Sequence, residues 1–228
     1  MGIELIIESL PSLTQGLFVT LQLLLCALVF GLVIALPMAI MWVEGYKPFR
    51  YLAVFYVTFF RGTPLLVQVF LIYYGLGQLE WVRTSLLWPV FKEPFFCAAL
   101  ALSLNTSAYT ANIIRGAIKA VPFGEIEAGR AFGMSKFTLY RTVILPQAFK
   151  LVLPAYGNEI IIILKATSLA STITIMDLTG VANDIVSNTY RPYEIFITAA
   201  LFYIAITFEL TRLFRIVEGR VNKQLPDW

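Results

Sequence analysis

Three charged side chains fall where charge is expensive. Arg61, Glu159 and Lys165 lie inside long apolar runs of a 228-residue chain that is 59% hydrophobic and 14% charged; an ordinary soluble domain has about 25% charged residues. Inside a bilayer such groups face a bundle interior or a watered path, and they are retained for what they bind. The chemistry on offer is recognition rather than bond making. A guanidinium fork suits a carboxylate, and a carboxylate suits a cation. The plainer alternative is a buried ion pair, or a side chain that snorkels to the helix end. Glu159 follows Gly157 and Asn158, which are able to loosen a helix and turn backbone groups toward a cavity. A further polar patch runs from residue 105 to 112. Within it Asn105, Tyr109 and Asn112 recur at i, i+4 and i+7 and therefore share one helix face. That face is the candidate polar path, while Ser103, Ser107 and Thr110 read as bonds between neighbouring helices.

Composition removes other chemistries. The chain has no histidine, so Ser/His and Cys/His catalysis and His-ligated metals are excluded. It has no G-x-x-x-x-G-K-[ST] run, so any nucleotide hydrolysis belongs to a partner. Cys26 and Cys97 sit in apolar runs without metal-site or disulfide spacing. Acidic Glu4 and Glu8 precede the first apolar run, which is not the pattern of a signal peptide. The net charge of +3 calls for no nucleic acid, because the basic residues have a topological explanation.

These side chains must be held by apolar helices. Five spans are predicted, over residues 13–43, 49–79, 95–118, 151–175 and 193–217, each long enough for the roughly 20 residues a bilayer requires. The fourth is expected to be interrupted at Gly157-Asn158-Glu159 and at Lys165-Ala166-Thr167-Ser168. Residues 80–94 and 176–192 are expected as loops. Of 17 basic residues, twelve fall on one side: Lys47, Arg50, Arg115, Lys119, Arg130, Lys136, Arg141, Lys150, Arg212, Arg215, Arg220 and Lys223. Only Arg83, Lys92 and Arg191 fall on the other. The positive-inside bias therefore puts the N-terminus outside and the C-terminus in the cytoplasm. No linker, separate soluble domain or internal repeat is evident, so residues 1–228 read as one transmembrane domain.

One long polar break lies on the cytoplasmic side, residues 120–147. A first helical piece is expected over residues 125–132, with Glu125 and Glu127 in the first turn, where the helix dipole favours acids. Gly133 breaks the run, Ser135 is a reasonable N-cap for a second piece to about Val143, and Pro146 is expected to close the segment. The order Glu127-Ala128-Gly129, Gly133, Val143-Ile144-Leu145-Pro146 resembles the EAA loop of ATP-binding-cassette (ABC) importer permeases. Gly129 stands where that pattern has a second Ala, and Val143 where it has Ile. Further runs carry the likeness over residues 49–215: Phe60-Arg61-Gly62-Thr63-Pro64-Leu65, Leu104-Asn105-Thr106-Ser107-Ala108-Tyr109-Thr110 and Gly116-Ala117-Ile118-Lys119-Ala120-Val121-Pro122. They resemble permeases of the polar amino acid importers, most of all the M-type permeases of histidine, lysine, arginine and ornithine systems and of opine systems.

The resemblance implies an all-α polytopic protein of the bacterial inner membrane with five transmembrane helices and a cytoplasmic coupling loop. It implies an ATPase dimer that holds ATP and Mg²⁺, a second and different permease subunit, and an extracytoplasmic binding protein that delivers the amino acid. Glu127, Ala128, Gly129, Gly133, Leu145 and Pro146 then meet the ATPase. Arg61, Asn105, Tyr109, Asn112, Asn158, Glu159 and Lys165 are the candidates for the substrate path. Two rival classes stand beside this reading: an ion-coupled secondary transporter with Glu159 as proton carrier, and a membrane-embedded enzyme using Glu159, Asp177 or Asp184.

Overall fold

The most polar of the long apolar stretches forms the most buried helix. In the computed structural model, which describes residues 2–222, α6 (Pro94–Ala120) runs through the middle of the bundle. Its buried face is built of small residues, among them Ala98, Ala101, Ser103, Ser107, Ala108 and Ala111. Small side chains let neighbouring backbones approach, and α6 packs along α1 (Gly2–Glu44) and α9 (Leu145–Ala166). Gly31 of α1 marks the closest approach: a β-carbon there would stand 2.5 Å from Thr106 Cγ2. The two serines differ: Ser103 bonds within its own helix, not to a neighbouring one as expected, whereas Ser107 also reaches a neighbouring helix through Tyr56. Ser103 Oγ donates to Ala99 O at 2.6 Å, and Ser107 bonds both Leu104 O at 2.8 Å and the Tyr56 hydroxyl at 2.5 Å.

Among the described residues, three helical runs are long and apolar enough to cross a bilayer: Ile3–Glu44, Lys136–Ile173 and Pro192–Val221. The expected second span is a bent pair, Lys47–Gly62 (α2) and Leu65–Gln78, meeting at 103°. The second arm begins as α3 (Leu65–Phe70) and ends in a π-helical and a 3-10 turn. The expected third span is α6, 27 residues long, but its polar middle sets it apart from these apolar runs.

Several expectations are corrected. The first helix is longer than the expected span over 13–43 and begins at Gly2; at about 1.5 Å per residue it runs to some 60 Å, about twice the hydrocarbon thickness. Residues 80–94 are not wholly loop and hold two helical turns, α4 (Glu80–Arg83) and α5 (Trp88–Phe91). After α7 (Phe123–Ala131) and α8 (Lys136–Leu139), Pro146 does not close the cytoplasmic segment. A π-helical turn, Tyr140–Ile144, carries the chain into the first turn of α9, where a proline's missing N–H is not needed. Nor do Gly157-Asn158-Glu159 interrupt α9, which is continuous to Ala166 before tightening into a 3-10 stretch, Thr167–Ile173.

Residues 176–192 also hold a helix, α10 (Leu178–Thr189). Asp177 caps it by accepting from the amides of Gly180 at 2.9 Å and Thr179 at 3.3 Å. Burial raises the Asp177 carboxyl to about 6, while those two amides pull the other way. Leu178 and Ala182 then pack on Leu13, Ile195 and Ala199, the last two from α11 (Pro192–Asn222). The tail from residue 223, with Lys223, lies outside the described residues.

Candidate functional site

Pro64 sets the site's geometry. Its ring disfavours helical backbone in the residue before it, and Thr63 is extended at φ −112°, ψ 144°. Helix α2 stops at Gly62, leaving carbonyls without helical partners. Thr63 Oγ1 takes up Phe59 O at 2.8 Å, and one buried side chain takes up Phe60 O. Gln68 Nε2 donates to Phe60 O at 2.9 Å and to Thr63 O at 3.1 Å, and it also reaches Thr63 Oγ1 at 2.7 Å. Asn105 Nδ2, from α6, donates to the same Phe60 O at 3.2 Å and to Gln68 Oε1 at 3.1 Å. The bend is therefore stitched to the central helix by two amides.

Arg61, one residue beyond Phe60, is thrown outward by the same bend. It is exposed, and its guanidinium lies 5.1 Å from the centroid of the Tyr109 ring, a cation–π distance. Opposite it on α9, Glu159 is 4% exposed and accepts from Thr106 Oγ1 at 3.0 Å. Its second oxygen, Oε2, accepts nothing among the described residues. Arg61 is near enough to act electrostatically on this carboxylate but forms no ion pair with it within 4.0 Å. Arg61, exposed, and Glu159, buried, are opposite charges against one stretch of α6, and they do not neutralise each other by contact.

Not all the candidates share that region. Asn105, Tyr109, Arg61 and Glu159 lie around the bend. Asn112 is half-buried one to two turns further along α6. Asn158 points away from its neighbour Glu159 and is exposed. Lys165 is exposed too, on a groove of about 610 Å³ between α9 and α11 that Tyr203, Thr207, Thr211, Arg212 and Arg215 also line.

Two further residues belong with the charged and polar set. Gln68 reads in the sequence as one amide in an apolar run; its distance of four residues from Pro64 was the available signal. Glu209 is exposed on α11 among Leu201, Ile204 and Phe208, which are 59–66% exposed. Its position in a continuous span should have marked it beside Glu159. Asp177 is used as a helix cap, and Asp184 accepts from Ser187 and Asn188 through its backbone carbonyl.

The cytoplasmic segment forms a second candidate surface. Two residues past the end of α7, Gly133 makes a left-handed turn at φ +74°. The Gly133 amide donates to Arg130 O at 2.9 Å and the Met134 amide to Gly129 O at 3.1 Å, the double bond pattern of a Schellman cap. Ser135 then caps α8, accepting from the Thr138 amide at 3.2 Å. Gly129 is buried, and a β-carbon there would stand 2.5 Å from Leu139 Cδ1, so glycine lets the two helices close on each other. Glu125 is tied to Gln147. Glu127, Ala128, Leu145 and Pro146 are exposed, as are the rings of Phe123, Phe132 and Phe137 at 66%, 86% and 74%. Ile126, Leu139 and Ile144 hold the segment onto Ala117 and Val121.

Residues 27–223 match the family described as binding-protein-dependent transport system inner membrane component. The chain is 49% identical over 226 residues to the nopaline transport system permease protein NocM of Agrobacterium fabrum, covering 99% of this chain and 94% of that one. It is 46% identical over 206 residues to the histidine/lysine/arginine/ornithine transport system permease protein HisM of Escherichia coli, covering 90% and 87%. Among solved structures it resembles an amino acid ABC transporter crystallised with histidines, at a TM-score of 0.85 and 39% identity over 94% of this chain and 96% of the other.

Proposed function

The chain belongs to the binding-protein-dependent transport system inner membrane components, as a permease subunit of an ABC importer, and from that premise we propose that it carries a cationic amino acid or an opine. The observation that carries the proposal is the pair of opposite charges held apart at the bend. Arg61 suits a carboxylate through a bidentate pair. Glu159, with one oxygen uncommitted, suits an ammonium or guanidinium group. A molecule bearing both groups replaces the contact that the two side chains do not make with each other. The names of the relatives, which carry nopaline or histidine, lysine, arginine and ornithine, point to the same chemistry. Tyr109 supplies a ring and hydroxyl beside Arg61. Lys165, on the groove beside α11, and the exposed Asn158 are assigned to the substrate's path away from the bend, as is Asn112.

ATP and Mg²⁺ are assigned to an ATPase dimer that docks on α7 and α8, where Glu127, Ala128 and Gly133 surround an exposed aromatic surface. Leu145 and Pro146 carry the movement into α9. ATP-driven closure of the dimer moves this segment and, through α9, the wall that holds Glu159; access alternates between the two sides of the membrane. A binding protein outside delivers the amino acid. The second permease subunit, a different chain, is assigned to the face of α11 that exposes Glu209, because a carboxylate in an apolar band calls for a protein or water neighbour rather than lipid.

The orientation follows the basic residues, and impermeant thiol labelling of a variant lacking Cys26 and Cys97 tests it. A cysteine at Leu86, 99% exposed between α4 and α5, is expected to react in sealed cells. One at Lys119, exposed at the other end of α6, is expected to react only after the membrane is opened. Labelling of the Lys119 position in sealed cells would reverse the topology and remove the ATPase from the docking segment.

A further inference from the structure

Helix α1 ends on an acid. Glu44 is its last residue, and no basic residue occupies its last turn. A carboxylate at a helix C-terminus opposes the helix dipole, so Glu44 does nothing for its own helix. Its carboxylate is instead taken up by the cytoplasmic segment. Lys136 Nζ donates to Oε2 and Tyr140 Oη to Oε1. Lys136 opens α8 and Tyr140 opens the π-helical turn, so one carboxylate grips both parts of the segment's second half. Two residues earlier, the Trp42 ring faces the Arg115 guanidinium of α6 at 4.2 Å. The Arg115 Nε is sealed from solvent without a hydrogen-bond partner, which leaves the ring as its main compensation. Above this end of α1, Ala35, Ala39 and Trp42 pack with Val57, Tyr56 and Phe60 of α2, and Phe60 adjoins Arg61 at the bend.

These contacts give the cytoplasmic segment two connections to the polar site. The first is covalent: the chain runs through the π-helical turn into α9 and on to Glu159. The second passes through Glu44 into α1, from there to α2, and so to Arg61. We propose that Glu44 is a positioning residue that makes α1 follow the ATPase-facing segment, so that one movement reaches both charges of the substrate site. This rests on the assignment of residues 120–147 as the ATPase contact.

The test uses the complete complex of both permeases, ATPase and binding protein in proteoliposomes, and reads amino acid transported per ATP hydrolysed. In Glu44→Ala the ATPase is expected to co-purify at its normal ratio and ATP hydrolysis to continue, while transport per ATP falls roughly fivefold or more, within the range by which single residues alter coupling. Lys136→Ala is expected to fall in the same direction. The charge-reversed double variant, Glu44→Lys with Lys136→Glu, is expected to recover at least half of the loss, which a merely disrupted helix end would not do. Unchanged transport per ATP in an assembled Glu44→Ala complex would overturn the proposal. So would loss of the ATPase from that complex, or a double variant no better than either single one. If Gly133→Arg complexes retain the ATPase normally, it is the docking assignment that fails, and Glu44 is judged separately.

Discussion

Gly133→Arg is expected to abolish transport while leaving the permease inserted at its normal level. The structure separates two parts of that effect. The first is backbone strain. Gly133 sits at φ +74°, and a residue with a β-carbon pays about 1–2 kcal/mol for left-handed helical backbone. The second is the surface, because a β-carbon at Gly133 meets nothing within 4 Å. A larger side chain is therefore not refused by the permease; it projects from the turn between Phe132 and Phe137. Gly133→Ala pays only the strain and is expected to retain transport reduced by no more than about thirtyfold, in line with that cost. Gly133→Asn, whose short polar side chain suits this conformation, is expected to retain more. Uptake by cells, set against the amount of permease in the membrane, reads all three variants. Normal uptake by Gly133→Arg would remove the docking assignment.

The second large effect is expected at Glu159. Glu159→Gln keeps the shape of the side chain and an acceptor for Thr106, so the contact between α6 and α9 is preserved and the complex assembles. What is lost is the charge. A hydrogen bond to a charged group contributes about 1.5–3 kcal/mol, and its loss corresponds to roughly ten- to a hundredfold in apparent affinity for a cationic substrate. Uptake of arginine, lysine or ornithine is expected to fall by that factor, and any neutral substrate is expected to be spared. A carboxylate that served only to bolt α9 to α6 would instead lower assembly and all uptake together. Unchanged uptake of cationic amino acids by a fully assembled Glu159→Gln complex would sink the site.

The sequence marked Arg61 and Glu159 because charge in an apolar run stands out, and it marked the proposed docking segment because its glycine, serine and proline punctuate a polar break. It misled where local signals were overruled by neighbours. Pro146 signals an end only if the helix before it is α-helical; the π-helical turn places it at a new beginning. Gly157 signals looseness, yet it is closed over by the Phe214 ring, whose Cδ1 would stand 3.0 Å from an added β-carbon. Residues 176–192 read as loop because they are polar, although Asp177 is a helix cap in plain view. Gln68 was legible only through its distance of four residues from Pro64. Its partners are the carbonyls freed by a bend, and no pattern in the sequence shows a bend of 103°. Nor does spacing along one helix reveal that Asn105 spends its amide on that bend, while Tyr109, one turn on, faces Arg61.

Transport by this permease is expected only when a partner hydrolyses ATP. The direct measurement is uptake of radiolabelled arginine, and of an opine in parallel, into proteoliposomes holding the purified complex, with binding protein outside and ATP inside. Accumulation that requires both hydrolysable ATP and loaded binding protein is the expected result. Accumulation driven by an ion gradient with no ATP present would contradict the account and restore the secondary transporter.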